Sequence, residues 1–243
     1  MNYLLGSVLD AFFPRLCPVC GCSLVRGETL MCLSCLAALP RTRMHLRPDN
    51  SITARLTRPG LRLELAAAWM DYSRHSPYAA VIRDAKYAGM PRIAREAGRL
   101  FAREMLADAV PALADIDVLL PVPMHWTRLL RRGYNQSREI ALGISAATGI
   151  PVGDNLHALR GHATQTRRSV EERMRNVGGI IAVRRPAELL GLHVAVVDDV
   201  ITSGATLADA LHALRAQAQP RAMSVLTIGA VRSDEWMFKP SNA

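Results

Sequence analysis

Two adjacent carboxylates, Asp198 and Asp199, are the residues whose type and position most directly indicate chemistry. They follow a short apolar run rich in valine, Val194 to Val197, which predicts a buried strand. A loop of small and hydroxyl-bearing residues comes next, Thr202 to Thr206, and apolar residues then recur at helical spacing. Such a loop at a helix N-terminus offers N–H groups and hydroxyls to a phosphate. The carboxylates can accept hydrogen bonds from sugar hydroxyls or help to hold a hydrated Mg²⁺. The alternative is an ordinary surface turn with capping residues.

Four cysteines form a second pattern near the N-terminus. Cys17, Cys20, Cys32 and Cys35 are spaced C-x2-C-x11-C-x2-C, which predicts a tetrahedral structural zinc site. Two disulfides or a redox-active pair are the alternatives, but nothing in the sequence indicates an oxidising compartment. Cys22 is left over, and we expect it to be a free thiol rather than a ligand.

The middle of the chain predicts a βαβ unit. Residues 117–123 form an apolar strand that ends at Val122 and Pro123, and a helix is expected from Gln136 to Thr148. Residues 150–152 then lead into a further strand, so a parallel sheet is the natural arrangement. Between strand and helix we expect a basic loop, which either faces a ligand or is a solvated surface; its arginines are Arg128, Arg131 and Arg132.

A long polar stretch, residues 159–177, follows this unit. It is too long for a tight connection, and long loops in compact domains are usually functional or disordered. We interpret it as a mobile hood that closes over a ligand, with a surface helix carrying Arg–Glu pairs as the alternative.

Lys86 precedes a glycine turn and is one of only two lysines in the chain. It is either a charge that faces the ligand or a residue that is favourable at the end of a helix.

Composition limits the class of protein. The chain has 243 residues, with 30 Lys and Arg against 21 Asp and Glu, and half of its residues are hydrophobic. This apolar content excludes a disordered chain. No uncharged stretch approaches the roughly 20 residues of a membrane helix, and residues 1–14 do not resemble a signal peptide. We therefore expect a soluble cytoplasmic protein with no membrane span.

The excess of positive charge is concentrated between residues 121 and 185, which hold eleven arginines and four acids. Arginine suits phosphate, so a phosphate-bearing ligand or a nucleic acid is indicated. A solvated basic face is the alternative. We expect four parts: an N-terminal helix and zinc ribbon in residues 1–45, a linker in 46–60, a main domain in 61–233 and a tail in 234–243.

The stretch around Asp198 resembles the phosphoribosyl-pyrophosphate (PRPP) signature of type I phosphoribosyltransferases. The two cysteine pairs, Lys86-Tyr-Ala-Gly89, Pro121-Val-Pro and Arg132-Gly-Tyr-Asn-Gln136 further resemble the ComF family, known from bacterial competence for DNA uptake. This resemblance implies an α/β fold: a type I phosphoribosyltransferase domain, with a central, mostly parallel sheet flanked by helices, and a small N-terminal zinc ribbon. It also implies binding of PRPP with Mg²⁺ and a structural Zn²⁺.

The resemblance assigns roles residue by residue. Asp198 and Asp199 would face the ribose, and with Arg160 they would be the catalytic residues. The PRPP loop would comprise Val200, Thr202, Ser203, Gly204, Ala205 and Thr206. The pyrophosphate loop would comprise Val122 and Pro123 with Arg131 and Arg132, and the mobile loop would contain Arg160, Gln165, Arg173 and Asn176.

The resemblance leaves three functions open. The first is phosphoribosyl transfer with release of pyrophosphate, for which no residue indicates the acceptor. The second is non-catalytic binding of single-stranded DNA, against which the small number of aromatic residues counts. The third is PRPP sensing without turnover. The implied partners are PRPP, single-stranded DNA and other competence or DNA-translocation proteins.

Overall fold

The centre of the molecule is a sheet of four parallel strands. The computed structural model describes residues 15–57, 61–87, 90–159 and 179–231. The sheet strands are β1 (Leu65–Tyr72), β2 (Val118–Pro121), β5 (His193–Ile201) and β6 (Ala222–Val231), in the order β1-β6-β5-β2. A separate antiparallel pair joins β3 (Leu156–Ala158) and β4 (Ile181–Val183). The predicted α/β architecture with a mostly parallel central sheet is confirmed.

Helices lie on both sides of this sheet. In chain order they are α1 (Leu33–Ala37), α2 (Ser51–Leu56), α3 (Ala79–Tyr87), α4 (Pro91–Ala107), α5 (Pro111–Ala114), α6 (Trp126–Arg132), α7 (Gln136–Thr148) and α8 (Ala205–Gln217). Two short 3-10 helices span Met44–Leu46 and Pro186–Leu189. The helix predicted from Gln136 to Thr148 is confirmed as α7. None of the helices described is long and apolar enough to cross a membrane.

Alternation along the strands divides the core into two layers. Val194 and Val196 of β5 pack with α2 and α8 on one face, and Ala195 and Val197 pack with α3, α4 and α7 on the other. All four side chains are fully buried, as expected for a parallel sheet covered on both faces. This burial fixes the carboxyl end of β5 between two layers of helices.

The described part of the expected linker, residues 46–57, contains helix α2. Asn50 caps α2 through the N–H groups of Ile52 and Thr53, and the Thr53 hydroxyl accepts from the Asn50 N–H to complete a capping box. Ile52 and Leu56 are four residues apart, and both lie in the core, where they are 0% and 1% exposed. The segment therefore belongs to the main fold, because its two apolar residues share the buried side of the helix.

The cysteine-rich segment also packs on the main core. Cys17, Cys32 and Cys35 belong to the same buried cluster as β1 and α3. The Tyr78 hydroxyl donates a 2.9 Å hydrogen bond to the Cys35 carbonyl oxygen. The ribbon is thus fastened to the segment that leads into α3.

Candidate functional site

The acidic pair lies at the carboxyl end of the central strand β5. Asp198 is opposite Thr227 of β6, and the pairing continues through Val200 and Ile201. The strand therefore extends beyond the point at which the sequence predicted its end. Asp198 and Asp199 consequently stand on rigid backbone rather than in a loop, which fixes the positions of their carboxylates.

Asp198 is held by two hydrogen bonds to one carboxylate oxygen. The Ser137 hydroxyl donates to its Oδ1 at 2.9 Å, and the Asp199 N–H donates to the same atom at 2.8 Å. Burial, and then the charge of Asp199, raise the pKa of Asp198 to about 7. Ser137 belongs to the first turn of α7, which begins where the Asn135 side chain caps the helix. No sequence pattern indicates this contact between residues 61 positions apart.

Asp199 forms an ion pair with Lys86. The Lys86 Nζ lies 2.7 Å from Asp199 Oδ2, and the two side chains are 26% and 20% exposed. The Val200 N–H donates to Asp199 Oδ1 at 2.7 Å. Lys86 stands at the C-terminal end of α3, so both roles considered for it fit its position. The ion pair shows that it reaches the acidic pair.

The loop after β5 presents polar groups to solvent at the start of α8. Thr202, Ser203, Ala205 and Thr206 are exposed, and Gly204 has a φ of +80°. A side chain at Gly204 would be strained and would approach Leu56 Cδ2 at 3.0 Å. The loop therefore exposes its hydroxyl groups at the N-terminus of a 13-residue helix, where backbone N–H groups can bind an anion.

Arg55 forms a hydrogen bond to the backbone of this loop. Its Nη1 donates to the Thr202 carbonyl oxygen at 3.1 Å. Burial lowers the pKa of Arg55 from its ordinary value. Sequence reasoning missed this residue because it lies in the segment interpreted as a linker.

The expected pyrophosphate segment is partly helical. The Val122 N–H donates to the Val197 carbonyl at 2.9 Å, and the Asn135 side chain donates to the Val122 carbonyl at 2.9 Å, so Val122 is fixed beside β5. The expectation that Arg131 and Arg132 lie in a loop is wrong: they form the last turn of α6, which ends at Gly133 in the left-handed conformation. Arg132 donates to the Gln136 side chain, whereas Arg131 is exposed. Pro123 directly precedes this segment, and it lines the cleft described next.

A cleft of about 1200 Å³ opens beside this segment. Its walls come from the end of β2, α6, the start of α7, β3 and the end of β4. Trp126 lines it with 57% of its surface exposed, and the His125 ring lies 5.8 Å from the Trp126 ring. The four residues predicted in the mobile loop lie outside the described residues: Arg160, Gln165, Arg173 and Asn176.

Four cysteine side chains form a group that could hold a metal ion. The sulfur atoms of Cys17, Cys20, Cys22 and Cys32 all lie within 4.8 Å of one another. No disulfide is formed by the described cysteines. Cys22, expected as a free thiol rather than a ligand, is a free cysteine whose sulfur lies within this group. Cys35 donates its N–H to Cys32 Sγ at 3.5 Å and borders the same group.

The group fits a zinc ion. Four sulfurs at 2.3 Å from a tetrahedral zinc are about 3.8 Å apart, and Cys20 Sγ and Cys32 Sγ are separated by 3.7 Å. The Cys32 N–H points at Cys17 Sγ, as N–H groups around bound thiolates do. The backbone N–H of Cys22 lowers the pKa of the Cys20 thiol to about 6, which favours the thiolate that a metal binds.

Sequence comparison identifies the family. The DNA utilization protein YhgH of Escherichia coli strain K12 is 30% identical over 195 residues, which cover 80% of this chain and 81% of YhgH. This chain belongs to the ComF-like family. YhgH of Salmonella typhimurium is 29% identical over 208 residues, covering 81% and 88% of the two chains. Competence protein F of Haemophilus influenzae is 34% identical over 101 residues, covering 41% and 44%. The ComF-like chain matches no protein-family model.

Solved structures provide a weaker likeness. An allosteric regulatory enzyme of purine biosynthesis is 24% identical with a TM-score of 0.40, covering 56% of this chain and 26% of that enzyme. The glutamine PRPP amidotransferase of B. subtilis is 26% identical with a TM-score of 0.41, covering 55% and 25%. The ComF-like chain thus spans about a quarter of the length of these enzymes.

Proposed function

We propose that this ComF-like protein binds PRPP together with Mg²⁺ at the carboxyl end of β5 and transfers its phosphoribosyl group. The 5-phosphate binds the Thr202–Thr206 loop, Asp198 and Asp199 face the ribose hydroxyls, and the pyrophosphate lies near Val122 and Pro123. The observation that carries the proposal is the acidic pair on a rigid strand end, held by Ser137 and Lys86 from two other elements. Perturbed carboxylates in such a position are typical of functional sites.

The charges around the pair explain how the site accepts an anionic ligand. Without a ligand, Lys86 neutralises Asp199, and a pKa of about 7 leaves Asp198 partly protonated at neutral pH. Carboxylate oxygens are ligands that Mg²⁺ accepts, so the pair is chemically suited to help hold the hydrated ion. The bound ion would neutralise charge on the pyrophosphate as it departs.

The transfer itself needs positioning more than proton chemistry. The bond between the anomeric carbon and the pyrophosphate oxygen breaks, and an acceptor nucleophile forms the new bond at the same carbon. Rigid placement of the ribose by the strand end and of the phosphate by the loop supplies the orientation that such a step requires. We place this activity in the cytoplasmic uptake and handling of transforming DNA, in keeping with the names of the relatives, DNA utilization protein YhgH and competence protein F.

Calorimetric titration with PRPP, with and without Mg²⁺, tests the binding. Asp199→Asn is expected to weaken binding by about 100-fold, since it removes a charged acceptor of ribose hydroxyls. Asp49→Asn makes the same chemical change at an exposed position and is expected to bind as the wild type does. Equal affinity in Asp199→Asn and the wild type refutes the proposed site. Binding without pyrophosphate release would leave a PRPP sensor.

A second candidate function, binding of single-stranded nucleic acid, is favoured by the cleft beside α6. Exposed Trp126 offers a base-stacking platform, which the sequence alone did not reveal. The cleft's Glu139 pairs with Arg95, and its Asp154 with Arg185. In contrast, four exposed arginines in or beside the cleft form no ion pair with the described residues: Arg128, Arg131, Arg138 and Arg184. This cleft therefore combines an aromatic ring with uncompensated positive charge.

A salt titration of oligonucleotide binding tests this second function. Trp126→Ala is expected to weaken binding by 1–3 kcal/mol, about 5- to 150-fold, at any salt concentration. Replacing the two exposed arginines that line the cleft, Arg138 and Arg184, by Ala is expected to reduce the salt slope by about 2, since each phosphate contact contributes about 1. Arg74→Ala removes an exposed arginine outside the cleft lining and serves as the control. An unchanged slope in the double variant rejects this function.

A further inference from the structure

Five thiols converge on a site where zinc binds four. The chain has five cysteines, and four of their sulfurs lie within 4.8 Å of one another, namely those of Cys17, Cys20, Cys22 and Cys32. The fifth, Cys35, donates its backbone N–H to Cys32 Sγ at 3.5 Å and so borders this group. A structural zinc is almost always four-coordinate, so one thiol is in excess.

Three of the five cysteines are common to both possible sets of four. Cys17, Cys20 and Cys32 belong to the spaced pattern of the sequence and also to the observed sulfur group. Only the fourth position differs, because the sequence pattern supplies Cys35 and the sulfur group supplies Cys22.

Cys22 and Cys35 differ in their exposure to solvent. Cys22 is exposed and its Sγ lies 3.3 Å from Cys20 Sγ, whereas Cys35 is 9% exposed and belongs to the buried cluster. Gly21, at a φ of +76°, turns the chain between Cys20 and Cys22. The Cys17 N–H donates to the Cys22 carbonyl at 2.8 Å, which holds the backbone of Cys22 beside the group. The turn at Gly21 therefore positions Cys22 beside the other sulfur atoms.

We propose that Cys17, Cys20 and Cys32 are constant zinc ligands and that Cys22 and Cys35 share the fourth position. A structural zinc is held by four ligands, so only one of Cys22 and Cys35 occupies the fourth position at a time. Cys22 replaces Cys35 by a small movement at the exposed side of the site, without rearrangement of the core. This inference rests on the proposed zinc site and is independent of PRPP binding.

Single and double variants test the sharing. Zinc affinity is measured by competition with a chromophoric chelator, and zinc content by metal analysis, on the full chain. Cys22→Ala and Cys35→Ala are each expected to bind one zinc with an affinity within about tenfold of the wild type. The double variant is expected to lose more than about 100-fold, above the 10–100-fold cost of losing a group that only orients a ligand. Cys17→Ala, which removes a constant ligand, is expected to match the double variant.

The comparison separates the outcomes. A Cys35→Ala variant that loses as much affinity as the double variant shows that Cys22 cannot bind, and the proposal fails. A Cys22→Ala variant with the same loss shows that Cys22 is an obligatory ligand, and the proposal fails equally. A wild-type protein that folds and binds no zinc rejects the metal site itself, a result distinct from both.

Alkylation of the wild-type protein avoids any variant that does not fold. Zinc-loaded protein is treated with limiting N-ethylmaleimide, and the modified cysteine is located by peptide mapping while free zinc is followed. The expected result is modification of Cys22 with zinc retained, because Cys35 then occupies the fourth position. Release of one zinc for each Cys22 modified, or protection of Cys22 equal to that of Cys17, overturns the sharing.

Discussion

Asp198→Asn is expected to stabilise the protein at alkaline pH. The folded chain raises the pKa of Asp198 from 3.8 to about 7, chiefly through burial. Because the folded state binds this proton more tightly than the unfolded state, stability falls as the pH rises from about 4 to about 7 and is level above that. A difference of about three pKa units at 1.36 kcal/mol per unit corresponds to a cost of up to about 4 kcal/mol.

The Asp198→Asn variant isolates the free-energy cost of the ionised Asp198 in the folded protein. Its side chain has the same shape, and its Oδ1 can still accept from the Ser137 hydroxyl and the Asp199 N–H. At pH 8 we expect a gain of up to about 4 kcal/mol in the free energy of unfolding, or roughly 8–16 °C in Tm. At pH 5 less than roughly half of that gain should remain, because the wild-type carboxyl is then protonated in the folded state.

Urea unfolding at the two pH values measures both numbers, with Asp49→Asn as the control for loss of a surface charge. A gain that is equal at both pH values, or absent at pH 8, refutes the reasoning. The same variant should lose affinity for PRPP. A residue that destabilises the fold and yet binds the ligand shows the usual conflict between stability and activity.

Three further predictions concern the neighbours of this site. Lys86→Met should raise the pKa of Asp198 further, since the Lys86 charge lowers it; carboxyl titration by NMR measures the shift, and a fall contradicts the assignment. Arg55→Ala should weaken PRPP binding by about tenfold through loss of its charged hydrogen bond to the Thr202 carbonyl, and unchanged affinity would remove Arg55 from the site. Leu56→Ala should cost about 2–5 kcal/mol in urea unfolding, whereas Leu46→Ala, at a half-exposed position, should cost less than about 0.5 kcal/mol; equal costs would contradict the packing of α2 on the core.

The sequence was sufficient where a pattern is local. An apolar run rich in valine predicted the buried part of β5, and apolar residues at helical spacing predicted α7 with both ends correct. The acidic pair and the loop that follows it were found because they are consecutive in the chain.

Contacts between distant segments could not be predicted in this way. Arg55 and Thr202 are 147 residues apart, and Ser137 and Asp198 are 61 apart, so no spacing rule connects either pair. The six-residue helix α2 is too short for periodicity, and only its position against the core stabilises it. Cys22 was set aside because it breaks a spacing pattern, although the turn at Gly21 directs it to the other sulfurs.

Helix α3 connects the cysteine group with the acidic pair of Asp198 and Asp199. Tyr78, immediately before its first residue, donates to the Cys35 carbonyl, and Lys86, near its last residue, reaches Asp199. The nine residues of α3 span about 14 Å, so one continuous helix connects the cysteine group with the acidic pair. Loss of a zinc ion from the cysteine group would weaken the contact of Tyr78 with Cys35. Lys86, at the other end of the helix, would then be less firmly positioned against Asp199. We therefore expect removal of zinc to lower the affinity for PRPP: a chelator added to the folded protein should weaken PRPP binding before the sheet unfolds.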